Sequence, residues 1–414
     1  MMADVSVKQT ESKVVVQEGR KFISFILQEL KPKGKILTPF NIISGFIIFL
    51  GLIIIIIRFA KGLGSVTNLS QEFPWGLWIG FDVITGVAFA GGAYVLTFAV
   101  YILKAEKYHL IIRATVLNGF LAYVFYAGAL LLDIGRPWNG FNVIIGNDFG
   151  TNSVLFVVAW HFMLYTLMEF IEFSPAVAEW LGAPRLRKIL SSLGLGAVIF
   201  GFTLSTLHQA GLGALYLLAK SKIHPLWYNE FIPVLFFVSS IFAGLSIVII
   251  EGTISHRVFK DQISPEHHAQ YDEIVIGLGK GAAVAMFAYL FLQAIPFISG
   301  RRYEYIDSPM GYWYLLEIIG FVCVPLALFV EGVRNKKISF IRFAAIMTAI
   351  GIIINRLNVS IIAYKWDVPN HYYPSWMEIE VTLAIVFAEI WAFRWVCNRM
   401  PVFRDPPDWA KDND

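Results

Sequence analysis

The chain has 414 residues, 57% of them hydrophobic and only 15% charged, with a formal net charge of +3. A soluble protein of this length carries about a quarter charged residues, and apolar runs long enough to cross a bilayer recur along the sequence. The composition therefore excludes a soluble enzyme and a nucleic-acid binder, and predicts an all-α membrane protein with about ten transmembrane helices.

Residues 1–38 are polar and mixed in charge, without the apolar core and cleavage site of a leader. They read as an N-terminal segment ahead of a membrane domain over 39–399. Ten spans are expected near 40–59, 74–103, 109–133, 151–171, 187–219, 229–255, 273–298, 310–331, 338–361 and 376–398. The fifth is long, with Gly211 and Gly213 as places where it could bend. Small residues such as Gly86, Ala90, Gly91, Gly194, Gly196 and Gly201 permit close helix contact. Residues 400–414 form a short tail. Cys323 and Cys397 stand singly in apolar runs, so no metal site is expected.

Lysine and arginine set the orientation. With the N-terminus in the cytoplasm, that side and its helix ends hold 23 of the 33 Lys and Arg, the opposite side holds nine, and Lys280 lies inside a span. Both termini are thus expected in the cytoplasm, with the chain in a bacterial inner membrane. The loops after odd-numbered spans then face the periplasm. Trp75, Trp78, Trp138, Trp227 and Trp313 fall near that outer boundary, as an aromatic belt would.

A charge in hydrocarbon costs roughly 2.5–3.5 kcal/mol even on insertion scales, so polar residues in the spans need a partner, a cavity or a task. Asp82 lies about 12 Å below the outer face at 1.5 Å per residue. Asp133 and Arg136 end the third span, and His161 is some ten residues into the fourth. His208 and Gln209 stand about three turns before the end of the fifth, and Asn355, Arg356 and Asn358 lie in the outer half of the ninth. Five helices thus contribute polar groups at one depth. In the inner half, Glu251, Lys280 and Glu389 stand apart, and Glu251 with Lys280 suggests the mouth of a proton path.

A shallow pocket lined by Asp, His, Arg and Gln with aromatic walls suits a quinone, whose two-electron reduction takes up two protons. Asp82 and His161 are the expected catalytic groups; Trp78, Asp133, Arg136, His208 and Gln209 would bind and polarise the ring. "GLGKGA" lacks phosphate-loop spacing and sits in a span. His161 and His208 would allow one bis-histidine haem, but the chain offers no second pair; neither haem nor iron–sulfur cluster is expected here. The competing reading is a secondary transporter or ion-translocating subunit, which would place its site at the midplane and show two related halves; no such repeat stands out.

"GLGSVTNLSQEFPWGLWIGFD", "NSVLF", "TLHQAGLGALY", "KIHPLW" and "SIVIIEG" together resemble the HybB-like branch of the NrfD/polysulfide-reductase membrane subunits, with weaker likeness through "NRLN" and "YYPSWMEI". The resemblance implies a cofactor-free subunit that binds menaquinone near the periplasmic face. It also implies a periplasmic ferredoxin-like partner with four iron–sulfur clusters. That partner would be fed by a molybdopterin-type protein, a multihaem cytochrome c or a hydrogenase. By the same resemblance Asp82 matches the aspartate after "PWG", His208 and Gln209 the "HQ" pair, and Glu251 the glutamate of "FEG". Hydrogenase-linked members resemble the chain at "NSVLFE", where it has Val157 instead of glutamate; His161, one turn on, is expected to take over proton handling. The balance leans toward the menaquinone reductases of sulfate reducers, of the Qrc type.

Overall fold

The computed structural model describes residues 23–145, 150 and 152–411. Most of the expected N-terminal segment and the last three residues of the tail lie outside these. The chain divides into two compact units, residues 1–46 and 47–414, and every site discussed below belongs to the second.

Among the described residues, ten long helices account for the membrane domain. We label them α1 (Pro39–Lys61), α2 (Trp78–Ile102), α3 (Glu106–Asp133), α4 (Val154–Trp180), α5 (Pro184–Leu217), α6 (Ile232–Val258), α7 (Pro265–Ser299), α8 (Pro309–Arg334), α9 (Ile338–Ile362) and α10 (Trp376–Cys397). The first nine are long and apolar enough to cross a bilayer. The tenth expected span is a helix of 22 residues, but Glu378, Glu380, Glu389 and Arg394 lower its apolarity below that of the others. Helix α5 is continuous through Gly211 and Gly213.

Local chemistry sets many of the helix starts. Proline at the first turn opens α5, α6, α7 and α8, where its missing N–H costs nothing. Ser153, Ser264, Ser308 and Ser375 cap α4, α7, α8 and α10 through their hydroxyls. Ser375 and Glu378 form a reciprocal capping box.

Helices α2 and α6 are the most buried of the bundle. They cross where glycines face one another: a Cβ on Gly244 would come within 2.8 Å of the Gly92 Cα, and one on Gly92 within 2.9 Å of the Gly244 carbonyl oxygen. Such backbone-to-backbone contact is what small residues provide in membranes. Gly194 and Gly196 have nothing within 4 Å of an added Cβ, so the close packing expected of them is absent. Four segments are π-helical: Trp78–Val83, Phe98–Ile102, Leu316–Cys323 and Asn358–Ile362. Widened turns of this kind concentrate at functional sites.

The connections at one end of the bundle are tied to one another. Asn68 N–H donates to Glu378 Oε2 at 3.0 Å, and Leu77 N–H to the Tyr372 hydroxyl at 3.0 Å. The His224 N–H donates to the Ala363 carbonyl at 2.9 Å. This end is the outer one in the orientation expected from the lysines and arginines.

Candidate functional site

Asp82 sits inside the first π-helical segment and is fully buried. Its Oδ2 accepts from the Thr382 hydroxyl of α10 at 3.0 Å, while Oδ1 has no partner among the described residues. Asp133 is an electrostatic neighbour. On the inward side, a Cβ at Gly86 would strike the Tyr126 ring, so the glycine gives that tyrosine its place beside α2. The Tyr126 hydroxyl donates to Glu389 Oε2 at 3.2 Å, and Asp82 acts on Tyr126 in turn. Thr382 and Glu389 are seven residues apart, on one face of α10. Asp82, Tyr126 and Glu389 thus form a descending line of ionisable groups.

Trp78 is 2% exposed, and its indole N–H donates to the Glu378 carbonyl at 3.1 Å. It braces α2 against the first turn of α10. Trp227 is equally buried, so the expected aromatic belt loses two of its members to the interior, whereas Trp138 is 70% exposed.

Arg136 is exposed in the loop after α3 and forms no ion pair with Asp133 among the described residues. The cation near Asp133 is Arg58 of α1, which sequence reasoning passed over as a helix-end charge. Arg58 is 3% exposed and donates to the carbonyls of Leu132 at 2.6 Å and Ile134 at 2.5 Å. A guanidinium there satisfies carbonyls that the end of α3 leaves unpaired.

A second cluster adjoins the first across α3. The His208 Nδ1–H donates to the Val158 carbonyl at 3.1 Å, which fixes the tautomer and leaves Nε2 without a partner. The rings of Phe162 and Tyr123 pack on the imidazole at 5.4 and 5.8 Å. Gln209 crosses to α2, donating to the Val87 carbonyl at 2.8 Å. His161 is half-buried and its Nδ1 has no partner; it acts electrostatically on His208. No hydrogen bond or ion pair among the described residues joins Asp82 to His161. They belong to neighbouring clusters that meet Tyr126 and Tyr123, one turn apart on α3.

The second cluster also continues inward. Tyr123 packs edge-on against Tyr165 at 4.6 Å, and the Tyr165 hydroxyl donates to Glu169. Glu169 is 1% exposed and neighbours Glu172. A Cβ on Gly119 would sit 3.0 Å from Glu169 Oε2, and one on Gly201 3.1 Å from Glu172 Oε1, so two glycines make the room these carboxylates occupy. Sequence reasoning missed both acids by reading them as the inner end of the fourth span; "MEFIEF", with the two glutamates three apart, was the available signal.

Glu251 accepts from the Ser255 hydroxyl at 2.8 Å and neighbours Tyr271 and Cys397. Lys280 is not with it: the lysine is exposed and lines an apolar groove on the bundle's surface. The structure therefore does not assemble these two into one proton entrance.

A further buried network surrounds Glu317, an acid the sequence reading did not single out. Its Oε2 accepts from Trp227 at 2.7 Å and Asn358 at 2.5 Å, and its Oε1 from Asn355 at 2.7 Å. Arg356, 1% exposed, stacks 3.6 Å over the Phe236 ring and donates to Asn355 at 2.9 Å and to Ser239 at 2.7 Å. The signal for this site is a short repeat in the sequence. "PWGLWIGFD" and "PMGYWYLLE" share Pro, Gly, Trp and an acid at identical spacing: Pro74, Gly76, Trp78, Asp82 and Pro309, Gly311, Trp313, Glu317. Each acid lies in a π-helical segment, and Gly80 of the first copy backs onto the Ser360 hydroxyl of α9, two residues from Asn358 of the Glu317 network.

Buried carboxylates in widened turns, inside a bundle of apolar helices, define a polytopic helical membrane protein with a built polar interior. Residues 65–366 match the family described as polysulphide reductase, NrfD, and the chain belongs to that family. It is 40% identical over 385 residues to a protein of Nitratidesulfovibrio vulgaris, covering 92% of this chain and 99% of that one. It is 28% identical over 382 residues to the probable Ni/Fe-hydrogenase 2 b-type cytochrome subunit of Escherichia coli, covering 92% and 95%. It is also 28% identical over 365 residues to the menaquinone reductase integral membrane subunit of N. vulgaris, covering 79% and 82%.

Proposed function

We propose that the chain is the quinone-reactive membrane subunit of a bacterial respiratory oxidoreductase complex. In this reading it reduces menaquinone with electrons delivered by a periplasmic iron–sulfur subunit, itself fed by a cytochrome c, a hydrogenase or a molybdopterin-type protein. The observation that carries the proposal is that Asp82 Oδ1 and His208 Nε2 are buried without a partner among the described residues, His208 between the Tyr123 and Phe162 rings. Buried polar atoms are nearly always paired; these two, with the Tyr123 hydroxyl, His161 Nδ1 and Gln209 Oε1 in the same clusters, gather unpaired atoms where an external donor or acceptor fits. The menaquinone reductase relative supports the choice of ligand.

Reduction of the ring takes two electrons and two protons, converting both carbonyl oxygens to hydroxyls. Asp82 supplies one proton from its free oxygen. His161 and His208, whose Nδ1 and Nε2 stand free, handle the other. Replacement protons travel by the two inward lines, Tyr126 to Glu389 and Tyr165 through Glu169 to Glu172. If these lines open to the cytoplasm while electrons arrive from the periplasm, turnover moves charge across the membrane.

The test uses the intact complex purified with its partner subunits. Asp82→Asn and His161→Ala are expected to lower menaquinone reduction by about 100-fold or more, the scale of a lost proton donor, while the subunits still co-purify. Wild-type turnover in both variants sinks the assignment.

A further inference from the structure

The groove that holds Lys280 has a cavity volume of about 520 Å³ and is lined by Val238 and Ile241 of α6 and by Gly277, Lys280, Gly281, Val284, Ala285 and Ala288 of α7. Lys280 is its single charged side chain. A second ammonium stands at the same end. Gly277, one turn before Lys280, has no side chain, and a Cβ there would meet the Tyr108 hydroxyl and lie 2.7 Å from Lys107 Nζ. Lys107 is steered to this place by the Tyr108 ring, over which its ammonium sits at 4.8 Å.

Among the described residues, neither lysine has a carboxylate partner. Glu106, adjacent to Lys107 in sequence, and Glu273, seven residues before Lys280, are both exposed, and no ion pair among the described residues joins them to either lysine. An unpaired ammonium on a membrane-facing helix needs an anion or a route to water. The groove's dimensions say which anion. From Gly277 to Ala288 is eleven residues, about 16 Å of helix rise. That is half of a hydrocarbon core of about 30 Å, the depth of one leaflet. A basic end and an apolar shaft one leaflet long fit a phospholipid: phosphate at the lysines, acyl chain along Gly281, Val284 and Ala288.

We propose that this groove binds an anionic phospholipid of the leaflet on the α2–α3 loop side, with Lys107 and Lys280 holding the phosphate. A bare snorkelling lysine would need neither the second ammonium nor a chain-length groove. A free anion would leave the apolar shaft unused.

Native mass spectrometry of the full chain released from nanodiscs of mixed phosphatidylglycerol and phosphatidylcholine tests the proposal. The wild type is expected to retain phosphatidylglycerol selectively. Lys107→Gln and Lys280→Gln are each expected to weaken that retention roughly fivefold, and Val284→Trp to reduce it by filling the shaft. Lys336→Gln, an exposed lysine in the α8–α9 loop, is expected to change nothing. A variant carrying both Lys107→Gln and Lys280→Gln is expected to lose the selectivity altogether; if it fails to accumulate, the single variants decide. Equal retention in wild type and lysine variants overturns the proposal. So does protection against heating by inorganic phosphate equal to that by phosphatidylglycerol. A photo-crosslinker at Val284 that captures a polypeptide instead of lipid in native membranes also overturns it.

Discussion

The two copies of the Pro-x-Gly-x-Trp-x-x-x-acid motif are built alike and finished differently. Asp82 and Glu317 are both buried in π-helical turns, eight residues after a proline. Glu317 has both oxygens occupied by side chains of this chain, with Arg356 nearby to offset its charge. Asp82 has one donor, Thr382, and one free oxygen. The same local frame therefore yields a closed polar knot in one place and an open carboxylate in the other. The open copy is where chemistry with an external molecule fits, and the closed copy is where polar groups hold helices together.

The sharpest break of this comparison sets activity against stability. Asp82→Asn is expected to assemble normally and to lose menaquinone reduction by about 100-fold or more. Glu317→Ala is expected to fail in the opposite way. It strips the partners from Trp227, Asn355 and Asn358 and leaves Arg356 without its counter-charge, a change of the kind that costs about 3–5 kcal/mol. Thermal unfolding in detergent and quinone reduction, measured on both variants, separate the roles. A stable, inactive Glu317→Ala beside an unstable Asp82→Asn would invert them.

The tryptophans provide a smaller contrast. Trp313 donates to the side-chain oxygen of fully buried Asn358 at 2.8 Å. Trp313→Phe is expected to strand that oxygen at a cost of about 1–3 kcal/mol. Trp78 donates to a backbone carbonyl at 3.1 Å, and Trp78→Phe is expected to cost only about 0.5–1.5 kcal/mol. Equal losses in melting temperature would show that the closed copy is no more dependent on its own donors than the open one.

The sequence carried the helices, because apolar length is a local property, and with them the polar residues set inside apolar runs. Asp82, His161, His208 and Gln209 were legible for that reason. Pairing was not legible. The cation beside Asp133 is Arg58, 75 residues earlier in the chain, whose guanidinium caps the carbonyls of Leu132 and Ile134, and not Arg136 three residues away. Glu251 stands level with the first turns of α7, where Gly252 backs onto Tyr271, whereas Lys280 lies further along α7, where Gly281 backs onto Leu245. Glu169 and Glu172 were hidden by an assumed boundary: a span drawn to end at 171 makes both acids look like interface residues, whereas α4 continues to Trp180. Glu317 was hidden by its neighbours in sequence, since "YLLEIIG" reads as one charge in an apolar run until the spacing from Pro309 is set beside that from Pro74.

The finest distinction between the two copies is their response to pH. Trp227, which closes the Glu317 knot, follows His224 by three residues, and its backbone N–H donates to the His224 carbonyl at 2.9 Å. His224 lies in the loop after α5, 2% exposed, among Trp366, Trp227 and Tyr305. The Leu226 N–H donates to its Nδ1 at 3.2 Å, an arrangement that requires the neutral ring. Burial lowers the His224 pKa below its ordinary value near 6.5. The unfolded chain therefore takes up this proton first as pH falls. Stability from His224 is full above about pH 6.5 and declines below it, until the folded ring also protonates. His224→Asn offers an oxygen to the same N–H and does not titrate. Its melting temperature is expected to fall less than that of the wild type between about pH 7.5 and about pH 5.5. The same acid-induced loss in both proteins would detach the loop from the Glu317 knot and leave the two copies alike in their response to acid.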